Sequence, residues 1–280
     1  MLSYRHDFHA GNAADVLKHA VFVFTLGHLQ RKAGPLLVLD SHAGAGLYDL
    51  TSAAAVKTGE FRNGIGRLLP AGSENAPELL AGLLALVQER NPPGKLAVYP
   101  GSPALVLAMK RPHDRLAFFE LHPADHRRLV GLTGHAKGVV VERADGFKGL
   151  LARMPPTGRR GLALIDPSYE IKSDYDKVVA ALAKSWRRFA TGVYILWYPV
   201  IERASAAALT AAVAESGIRK VFRIELGMAP DAPGYGMTAS GVLVVNPPFT
   251  LPAAAAEALP WLVDRLDARG PTVAEWLVPE

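Results

Sequence analysis

The four residues Asp166-Pro167-Ser168-Tyr169 follow a short apolar run and carry the clearest chemistry in the sequence. The exocyclic amino group of a nucleobase is a poor nucleophile, because its lone pair is delocalised into the ring. A carboxylate and a backbone carbonyl that accept its two N–H groups would favour a tetrahedral, nucleophilic nitrogen. Such a nitrogen can attack a sulfonium methyl group in line, a reaction that needs no metal. Pro167 has a fixed φ and stiffens the loop, and Tyr169 offers a stacking surface for a base that has left its helix.

The segment from Pro35 to Tyr48 predicts a binding site for a nucleotide-type cofactor. Its apolar run, residues 36–39, ends at Asp40 and leads into a turn that contains Gly44 and Gly46. A short apolar run bounded by turn residues is typical of a buried parallel strand. A glycine-rich turn directly after it lets the backbone approach a ligand closely, because no Cβ stands in the way. A plain tight turn has the same pattern, so the interpretation depends on the strands that follow.

Acidic residues follow four of the predicted strands. They are Asp40, Glu120, Asp145 and Asp166. In an open α/β sheet, ligands lie outside the carboxyl ends of the strands, and an acid after the second strand can accept hydrogen bonds from ribose hydroxyls. Each acid alone would be typical of a surface or capping residue. The agreement of four strands favours a cofactor that contains a nucleoside.

Strands that alternate with helices predict a doubly wound, mostly parallel sheet. The predicted strands are residues 36–39, 116–119, 138–141, 161–165, 192–197, 218–226 and 240–246. The last two are joined by a Gly- and Pro-rich segment without a helix, which predicts an antiparallel pair at one edge.

The gap between the first two strands is longer than a crossover needs. It contains a leucine-rich helical pattern at residues 77–90, so we expect a small helical insertion at residues 50–97. The crossover helix should follow, with Ser102 as its N-cap and Pro103 as its first residue.

Residues 1–34 are expected to form a tail and a helix within a single domain of residues 1–280. Asn12 or Asp15 could cap this helix. The tail is dense in aromatic, histidine and amide groups, which favours recognition of a ligand or base over a solvated tail. A metal site formed by His6, His9 and His19 is a weaker hypothesis, because imidazoles at loose spacing are a poor signal.

The composition limits the class of protein. The 280 residues include no Cys, which excludes disulfides, thiolate metal sites and cysteine nucleophiles and is typical of a reducing compartment. The first twenty residues are polar and mixed in charge, unlike a signal peptide, and no apolar run would span a bilayer. We therefore expect a soluble cytoplasmic protein. The formal net charge of +5 is compatible with a nucleic-acid partner.

At this point the sequence closely resembles the RlmJ family of bacterial 23S ribosomal RNA adenine-N6 methyltransferases. The resemblance covers essentially the whole chain, and its blocks are long and specific. They are MLSYRHDFHAGNAADVLKH, LDSHAGAGLY, YPGSP, ELHP, ADGF, RRGLALIDPSYE, RFATGVYILWYPV, GIRK, GMTASG and NPPF. The resemblance implies the class I methyltransferase form of the Rossmann-like sheet with a small helical insertion, and S-adenosylmethionine as the cofactor.

The same resemblance implies roles for individual residues. The cofactor would be contacted by His19, His42, Ser102, Glu120, Asp145 and Gly146, beside Gly44 of the glycine turn and Asp166. Asp166 would also be the catalytic acceptor, in one loop with the Pro167 carbonyl and Tyr169. Tyr4 in the tail would engage the target adenine, and Lys18 is a further candidate on the substrate side.

One position departs from the family pattern Asp-Pro-Pro-Tyr, because Ser168 replaces the second proline. This replacement leaves the carboxylate, the carbonyl and the aromatic ring in place. It makes the loop less rigid and frees an N–H that needs a partner. A second match to the broader amino-methyltransferase pattern, residues 246–249, follows the last predicted strand and is interpreted as structural.

Other functions remain open from the sequence alone. A nicotinamide dehydrogenase is disfavoured, because the turn lacks the third glycine of GxGxxG. An RNA-binding protein that has lost turnover and an adenine methyltransferase acting on DNA are alternatives to an RNA methyltransferase. If the protein is an RNA methyltransferase, we expect 23S ribosomal RNA as its partner, either free or early in ribosome assembly. We also expect a monomer that binds neither a membrane nor a metal ion.

Overall fold

The computed structural model describes residues 5–171, 173–232, 234 and 236–280; Tyr4 lies outside the described residues. The helices are α1 (Ala13–Gln30), α2 (Ala53–Thr58), α3 (Ile65–Leu68), α4 (Glu78–Glu89), α5 (Ser102–Met109), α6 (Pro123–Thr133), α7 (Gly146–Arg153), α8 (Ser173–Arg188), α9 (Arg203–Glu215) and α10 (Leu251–Leu266). The strands are β1 (Leu37–Asp40), β2 (Leu47–Asp49), β3 (Val98–Pro100), β4 (Arg115–Phe119), β5 (Val139–Glu142), β6 (Gly161–Ile165), β7 (Val193–Val200), β8 (Val221–Gly227), β9 (Ala239–Val245) and β10 (Thr272–Val278).

An eight-stranded sheet forms the centre of the molecule, in the order β10-β8-β9-β7-β6-β1-β4-β5. The five strands from β7 to β5 run parallel, so their carboxyl ends lie along one edge. β9 is antiparallel to both β7 and β8, which confirms the predicted antiparallel pair.

The edge strand β10 was not predicted. It pairs antiparallel with β8, and most of its residues are exposed. Its sequence TVAEWLV contains strand-forming residues, but an exposed edge strand depends on backbone pairing with its neighbour, which the local sequence does not indicate.

Hydrophobic clusters cover both faces of the sheet, as expected of parallel strands packed between helices. Neighbouring residues of β1 point to opposite faces: Val38 packs in one cluster and Leu39 in the other. Helices α1, α4, α5 and α10 contribute to the first cluster, and α7, α8 and α9 to the second. The sheet is therefore doubly wound.

The helices α2, α3 and α4 lie between the short strands β2 and β3, which pair antiparallel with each other. The apolar stripe of α4 is buried in the first hydrophobic cluster, where the buried leucines are Leu79, Leu80, Leu83 and Leu84. This stripe packs into the same core as the main sheet. The assignment of residues 50–97 to a separate helical insertion therefore stays a prediction. No helix in the described part of the chain has the length and apolarity needed to cross a bilayer.

Two local predictions about helix starts had different outcomes. Asn12 caps α1, since its side-chain oxygen accepts the N–H of Asp15 at 2.9 Å. Ser102 was predicted to cap α5, but Gly101 occupies the cap and Ser102 is the first helical residue. The Ser102 hydroxyl donates instead to Asp40, so it is not free to cap the helix.

Candidate active site

A cavity of about 820 Å³ opens at the edge of the sheet where the parallel strands end. It is lined by every predicted site residue that the structure describes, namely Lys18, His19, His42, Gly44, Ser102, Glu120, Asp145, Gly146, Asp166, Pro167 and Tyr169. Strand direction explains this convergence, because β1, β4, β5 and β6 all end at this edge. Asp166 and Glu120, which are separated by β1 in the sheet, therefore face one shared cavity.

Glu120 is fixed by backbone N–H groups on both of its oxygens. Gly44 donates to Oε2 at 2.8 Å, and His122 donates to Oε1 at 2.6 Å. Burial raises the pKa of Glu120 from its usual value, although these hydrogen bonds oppose the shift. Each oxygen retains a further lone pair for a ligand hydroxyl.

Two glycines of the cavity wall lie where the protein leaves no space for a side chain. Gly44 has a φ of +61°, and a Cβ there would lie 2.3 Å from the Tyr48 hydroxyl. A Cβ on Gly146 would lie 1.6 Å from the carbonyl oxygen of Ser41. Beside Gly146, Asp145 caps α7 by accepting the N–H groups of Phe147 and Lys148, two and three residues further on. The loops after β1 and β5 are thus packed against each other along the cavity wall.

Lys18 links the helix α1 to the loop of residues 166–169. Its Nζ lies 2.6 Å from Asp166 Oδ2 and 2.9 Å from Asp15 Oδ1, and the residue is only 3% exposed. The same Nζ lies 5.4 Å from the centre of the Trp197 ring. Burial opposes the charge of Lys18, but the two carboxylates outweigh it and raise the pKa of Lys18.

Asp15 is the other carboxylate that pairs with Lys18, and it is almost completely buried. It also accepts the Gly11 N–H at 2.9 Å and lies 2.8 Å from His6 Nε2. Burial disfavours its ionised form, but the charges of His6 and Lys18 prevail and hold the pKa of Asp15 well below its usual range. From the sequence Asp15 was expected only as a possible helix cap, although its spacing of three residues from Lys18 is typical of a helical ion pair.

Two buried histidines contribute neutral rings to the cavity wall. Burial lowers the pKa of His19 to about 3 and that of His42 to about 4. His19 Nδ1 lies 2.8 Å from the Tyr99 hydroxyl, and His42 Nδ1 lies 2.8 Å from the Ser41 hydroxyl. Both rings are therefore uncharged at neutral pH and act through hydrogen bonding and packing.

Asp40 lies behind the cavity wall and orders the turn after β1. It accepts the Ser102 hydroxyl at 2.6 Å and the His42 N–H at 3.1 Å. Burial raises the pKa of Asp40 to about 7, and the nearby charge of Asp166 adds to the shift.

The loop of residues 166–169 is attached to β7 through Tyr169. This residue has a φ of +54°, its ring is largely buried, and its hydroxyl donates to the Trp197 carbonyl at 2.7 Å. Its ring packs 4.6 Å from the ring of Tyr175. Both Ser168 and Trp197 line the cavity, and the sequence analysis did not identify Trp197 as part of the site.

The three histidines considered for a metal site, His6, His9 and His19, all line this cavity. Among the described residues no group of His, Asp or Glu has an arrangement that could hold a metal ion. The three rings have different hydrogen-bond partners: His6 lies 2.8 Å from Asp15, His9 lies 2.9 Å from Glu60 and His19 lies 2.8 Å from Tyr99. Asn246 donates to the carbonyls of Ala190 and Gly192, which places residues 246–249 at the opposite edge of the sheet from Asp166.

Comparisons with known proteins agree with this arrangement. Residues 33–278 match the family described as ribosomal RNA large subunit methyltransferase D, RlmJ. The chain is 45% identical to ribosomal RNA large subunit methyltransferase J of Escherichia coli and 44% identical to the protein of that name from Haemophilus influenzae. Each match covers 100% of both chains.

A solved structure has the same fold. The crystal structure of protein LPL1258 from Legionella pneumophila superposes with a TM-score of 0.89 at 35% identity, and the match covers 96% of this chain and 98% of that one. These findings confirm the predicted Rossmann-like methyltransferase fold and a methyltransferase enzyme. The chain belongs to the RlmJ family of ribosomal RNA large subunit methyltransferases.

Proposed function

We propose that this protein uses S-adenosylmethionine to methylate the N6 amino group of a specific adenine in 23S ribosomal RNA. The observation that carries the proposal is the meeting of three elements in one cavity: the Asp166-Pro167-Ser168-Tyr169 loop, the glycine turn after β1, and Glu120. The names of the two curated relatives support ribosomal RNA of the large subunit as the substrate.

The residues of the cavity fit the proposed cofactor. Glu120 can accept a hydrogen bond from a ribose hydroxyl, and Gly44 and Gly146 line the cavity beside it. His19, His42, Ser102 and Asp145 complete the proposed contacts. When bound, S-adenosylmethionine supplies an electrophilic methyl group and leaves as S-adenosylhomocysteine.

The charges of the cavity also suit a cationic ligand. Several carboxylates line it, namely Asp15, Glu60, Glu120, Asp125, Asp145, Asp166, Glu170 and Asp174, whereas His19 and His42 are neutral. The buried Lys18 is already held by Asp15 and Asp166. A ligand with a sulfonium and an ammonium group would therefore meet a field of favourable sign.

On the target side, Asp166 and the Pro167 carbonyl would accept the two N–H groups of the adenine. Lys18 binds Asp166 Oδ2, while Oδ1 accepts no hydrogen bond from the described residues and can receive one from the substrate. Lys18 thus acts as a positioning residue that orients the carboxylate. The Tyr169 ring, held by its hydroxyl bond to Trp197, would stack on the base. Tyr4, outside the described residues, would engage the same adenine from the tail.

The proposal extends to the biological setting. We expect free or early-assembly 23S RNA as the partner, a monomeric enzyme and a cytoplasmic location. The direct test measures transfer of labelled methyl groups to deproteinised 23S RNA, to assembled subunits and to DNA. Transfer to the RNA supports the proposal. Transfer to DNA alone, or binding of RNA without any transfer, would support the two alternative functions instead.

The residue assignment is tested with Asp166→Ala. This variant should lose transfer by at least about 100-fold, because one acceptor for the amino group is removed, while cofactor binding measured by calorimetry stays close to that of the parent. Asp174→Ala is a matched control, since Asp174 lines the same cavity but is not assigned a role. Ser168→Pro tests the departure from the family pattern, and an unchanged rate would show that the second proline is dispensable.

A further inference from the structure

The mouth of the cavity bears exposed aliphatic side chains beside the catalytic loop. Ile171 is 56% exposed, Ile201 is 51% exposed and Met237 is 37% exposed, and all three line the cavity. We refer to these three residues as the apolar rim. A fourth exposed side chain at the cavity, Leu121, follows Glu120 on the other side of β1 and belongs to the cofactor end.

This concentration of apolar groups differs from ordinary surface scatter. The exposed large hydrophobic side chains of the described chain are Val56, Leu121, Val130, Val140, Ile171, Ile201, Met237, Phe249 and Trp276. Four of these nine line one cavity, although that cavity occupies a small part of the surface. Single exposed apolar residues need no explanation, whereas a cluster at a ligand site indicates an interaction surface.

The sheet places the rim at the target end of the cavity. Ile171 follows β6, Ile201 follows β7 and Met237 precedes β9, and these three strands are neighbours. Because β9 is antiparallel to β7, its start lies at the same edge as the ends of β6 and β7. The three rim residues therefore lie on the same side of the cavity as Asp166.

Hydrogen bonds hold the rim in position. The N–H of Thr238 donates to the Val200 carbonyl at 2.8 Å, which fixes Met237 and Ile201 next to each other in the two chains. The Thr238 side chain also donates to Asp231 at 3.0 Å, and Asp231 binds Arg203 of α9. The hydroxyl bond of Tyr169 to the Trp197 carbonyl ties the segment before Ile171 to β7.

From this geometry we infer that the apolar rim binds the faces of the unpaired bases that flank the target adenine in the RNA. The inference rests on the proposed function and identifies the substrate as an adenine whose neighbours are also unstacked. Extruding a base exposes the faces of its neighbours to water, at a cost of a few kcal/mol for each step. Aliphatic side chains such as Ile and Met can cover these faces, as apolar wedges do in other nucleic-acid complexes.

The chemistry of the rim favours bases over phosphates. Phosphate contacts come mainly from Arg and Lys. The two lysines of the described chain that line the cavity are both paired, Lys18 with Asp15 and Asp166 and Lys177 with Asp174 at 3.1 Å. The other charged side chains at this end include the carboxylate Glu170. Neighbouring carboxylates repel a phosphate, whereas an uncharged base face can pack against aliphatic groups beside them.

The test is a double-mutant cycle that combines changes in the protein with changes in its RNA substrate. The substrate is a synthetic RNA stem-loop that contains the adenine methylated in deproteinised 23S RNA. On the protein side, Ile171→Ser and Ile201→Ser are combined. On the RNA side, the nucleotides on either side of the adenine are made abasic, which removes the bases and keeps the phosphates. With intact RNA, the double variant should raise the KM for RNA by about tenfold. With abasic flanks, the same variant should change KM by less than about twofold, because the bases that it would contact are absent.

Val56→Ser combined with Val140→Ser is the matched control, since both residues are exposed and lie outside the cavity. The control should leave KM unchanged with either RNA. Cofactor affinity and melting temperature should be unchanged in the rim variant, because exposed side chains contribute little to stability.

The possible failures are distinguishable. If the parent protein does not methylate the RNA, the proposed function is wrong. If the parent methylates it and the rim variant has the same KM, or loses as much with abasic flanks as with intact RNA, the role of the rim is refuted. An altered cofactor affinity would assign the rim to the cofactor site. A parent dimer that dissociates in the rim variant would make it an interface between two copies. Either result overturns the inference.

Discussion

Replacing Lys18 by methionine tests whether the buried charges beside the loop of residues 166–169 depend on one another. Lys18→Met keeps most of the side-chain volume and removes the cation between Asp15 and Asp166. Asp15 would then remain buried with its side chain 1% exposed and without its strongest fixed positive neighbour in the helix. A buried carboxylate that loses its partner is costly, because it cannot recover hydration.

The size of the effect follows from these contacts. Breaking a buried ion pair by removing one partner costs about 3–5 kcal/mol. Asp15 keeps the Gly11 N–H and the neighbouring His6 ring, so we expect a loss near about 3 kcal/mol. The total unfolding free energy of a domain is about 5–15 kcal/mol, so the loss is a large part of it. In a chain of this size, the melting temperature should fall by roughly 6–12 °C.

The assay is urea unfolding of the parent and the variant, with Lys177→Met as the control. Lys177 pairs with Asp174 at 3.1 Å and with the same spacing of three residues, but its side chain is 52% exposed. An exposed pair contributes about 0–1 kcal/mol, so the control should unfold close to the parent. Both lysines have the same helical spacing to an aspartate, so the difference between the two variants reports the burial of Lys18 together with its second partner, Asp166.

The pH dependence supplies a second measurement with a defined sign. In the parent, Asp15 has a lowered pKa, so its stabilising contribution is present above its unfolded value and is lost as pH falls through the folded value. Without Lys18, burial acts with less opposition and the pKa of Asp15 rises. The folded variant then binds the proton more readily, and its deficit relative to the parent should shrink from pH 8 to pH 4. A loss below about 1 kcal/mol, or a deficit that grows in acid, would refute the reasoning.

Three further variants test the walls of the cavity. Glu120→Gln should weaken S-adenosylmethionine binding by about 10- to 100-fold in calorimetry, because it removes a charged acceptor that orders Gly44; unchanged affinity would remove Glu120 from the proposed site. Gly146→Ala should abolish this binding and lower the melting temperature, since its Cβ would lie 1.6 Å from the Ser41 oxygen; a parent-like variant would contradict the close packing. The pKa of Asp40 is raised from 3.8 to about 7, so the stability of the parent should fall as the pH rises between these values. Asp40→Asn has no ionisable group there, and its melting temperature should lack this dependence on pH. An equal dependence in parent and variant would contradict the raised pKa.

The strand ends could be predicted from the sequence because two simple rules act together there. Short apolar runs indicate buried parallel strands, and parallel strands bring their carboxyl ends to one edge. These rules were enough to place Asp166 and Glu120 in one cavity, although 45 residues separate them in the sequence. Residues 246–249 were interpreted from the sequence as structural, and the antiparallel pairing of β9 with β7 puts them at the opposite edge of the sheet.

Contacts between distant side chains could not be predicted in this way. Lys18 and Asp166 are 148 positions apart, and nothing in the local pattern of α1 indicates which strand end it faces. The hydroxyl of Ser102 could cap α5 or bind a side chain elsewhere in the fold, and in the structure it donates a hydrogen bond to Asp40. The apolar rim has the same origin, since Ile201 and Met237 become neighbours only when β9 pairs with β7.

The buried charges of α1 connect stability with function. A buried ion pair is often no more stabilising than apolar residues of the same volume, so stability alone does not explain the chain of Asp15, Lys18 and Asp166. We therefore expect Asp15→Asn combined with Lys18→Met to unfold less easily than Lys18→Met alone, because no unpaired buried carboxylate remains within the helix. The same double variant should stay deficient in methyl transfer, since Asp166 has lost the cation that orients its carboxylate. If methyl transfer recovered together with stability, Lys18 would act only in folding and its positioning role would be wrong.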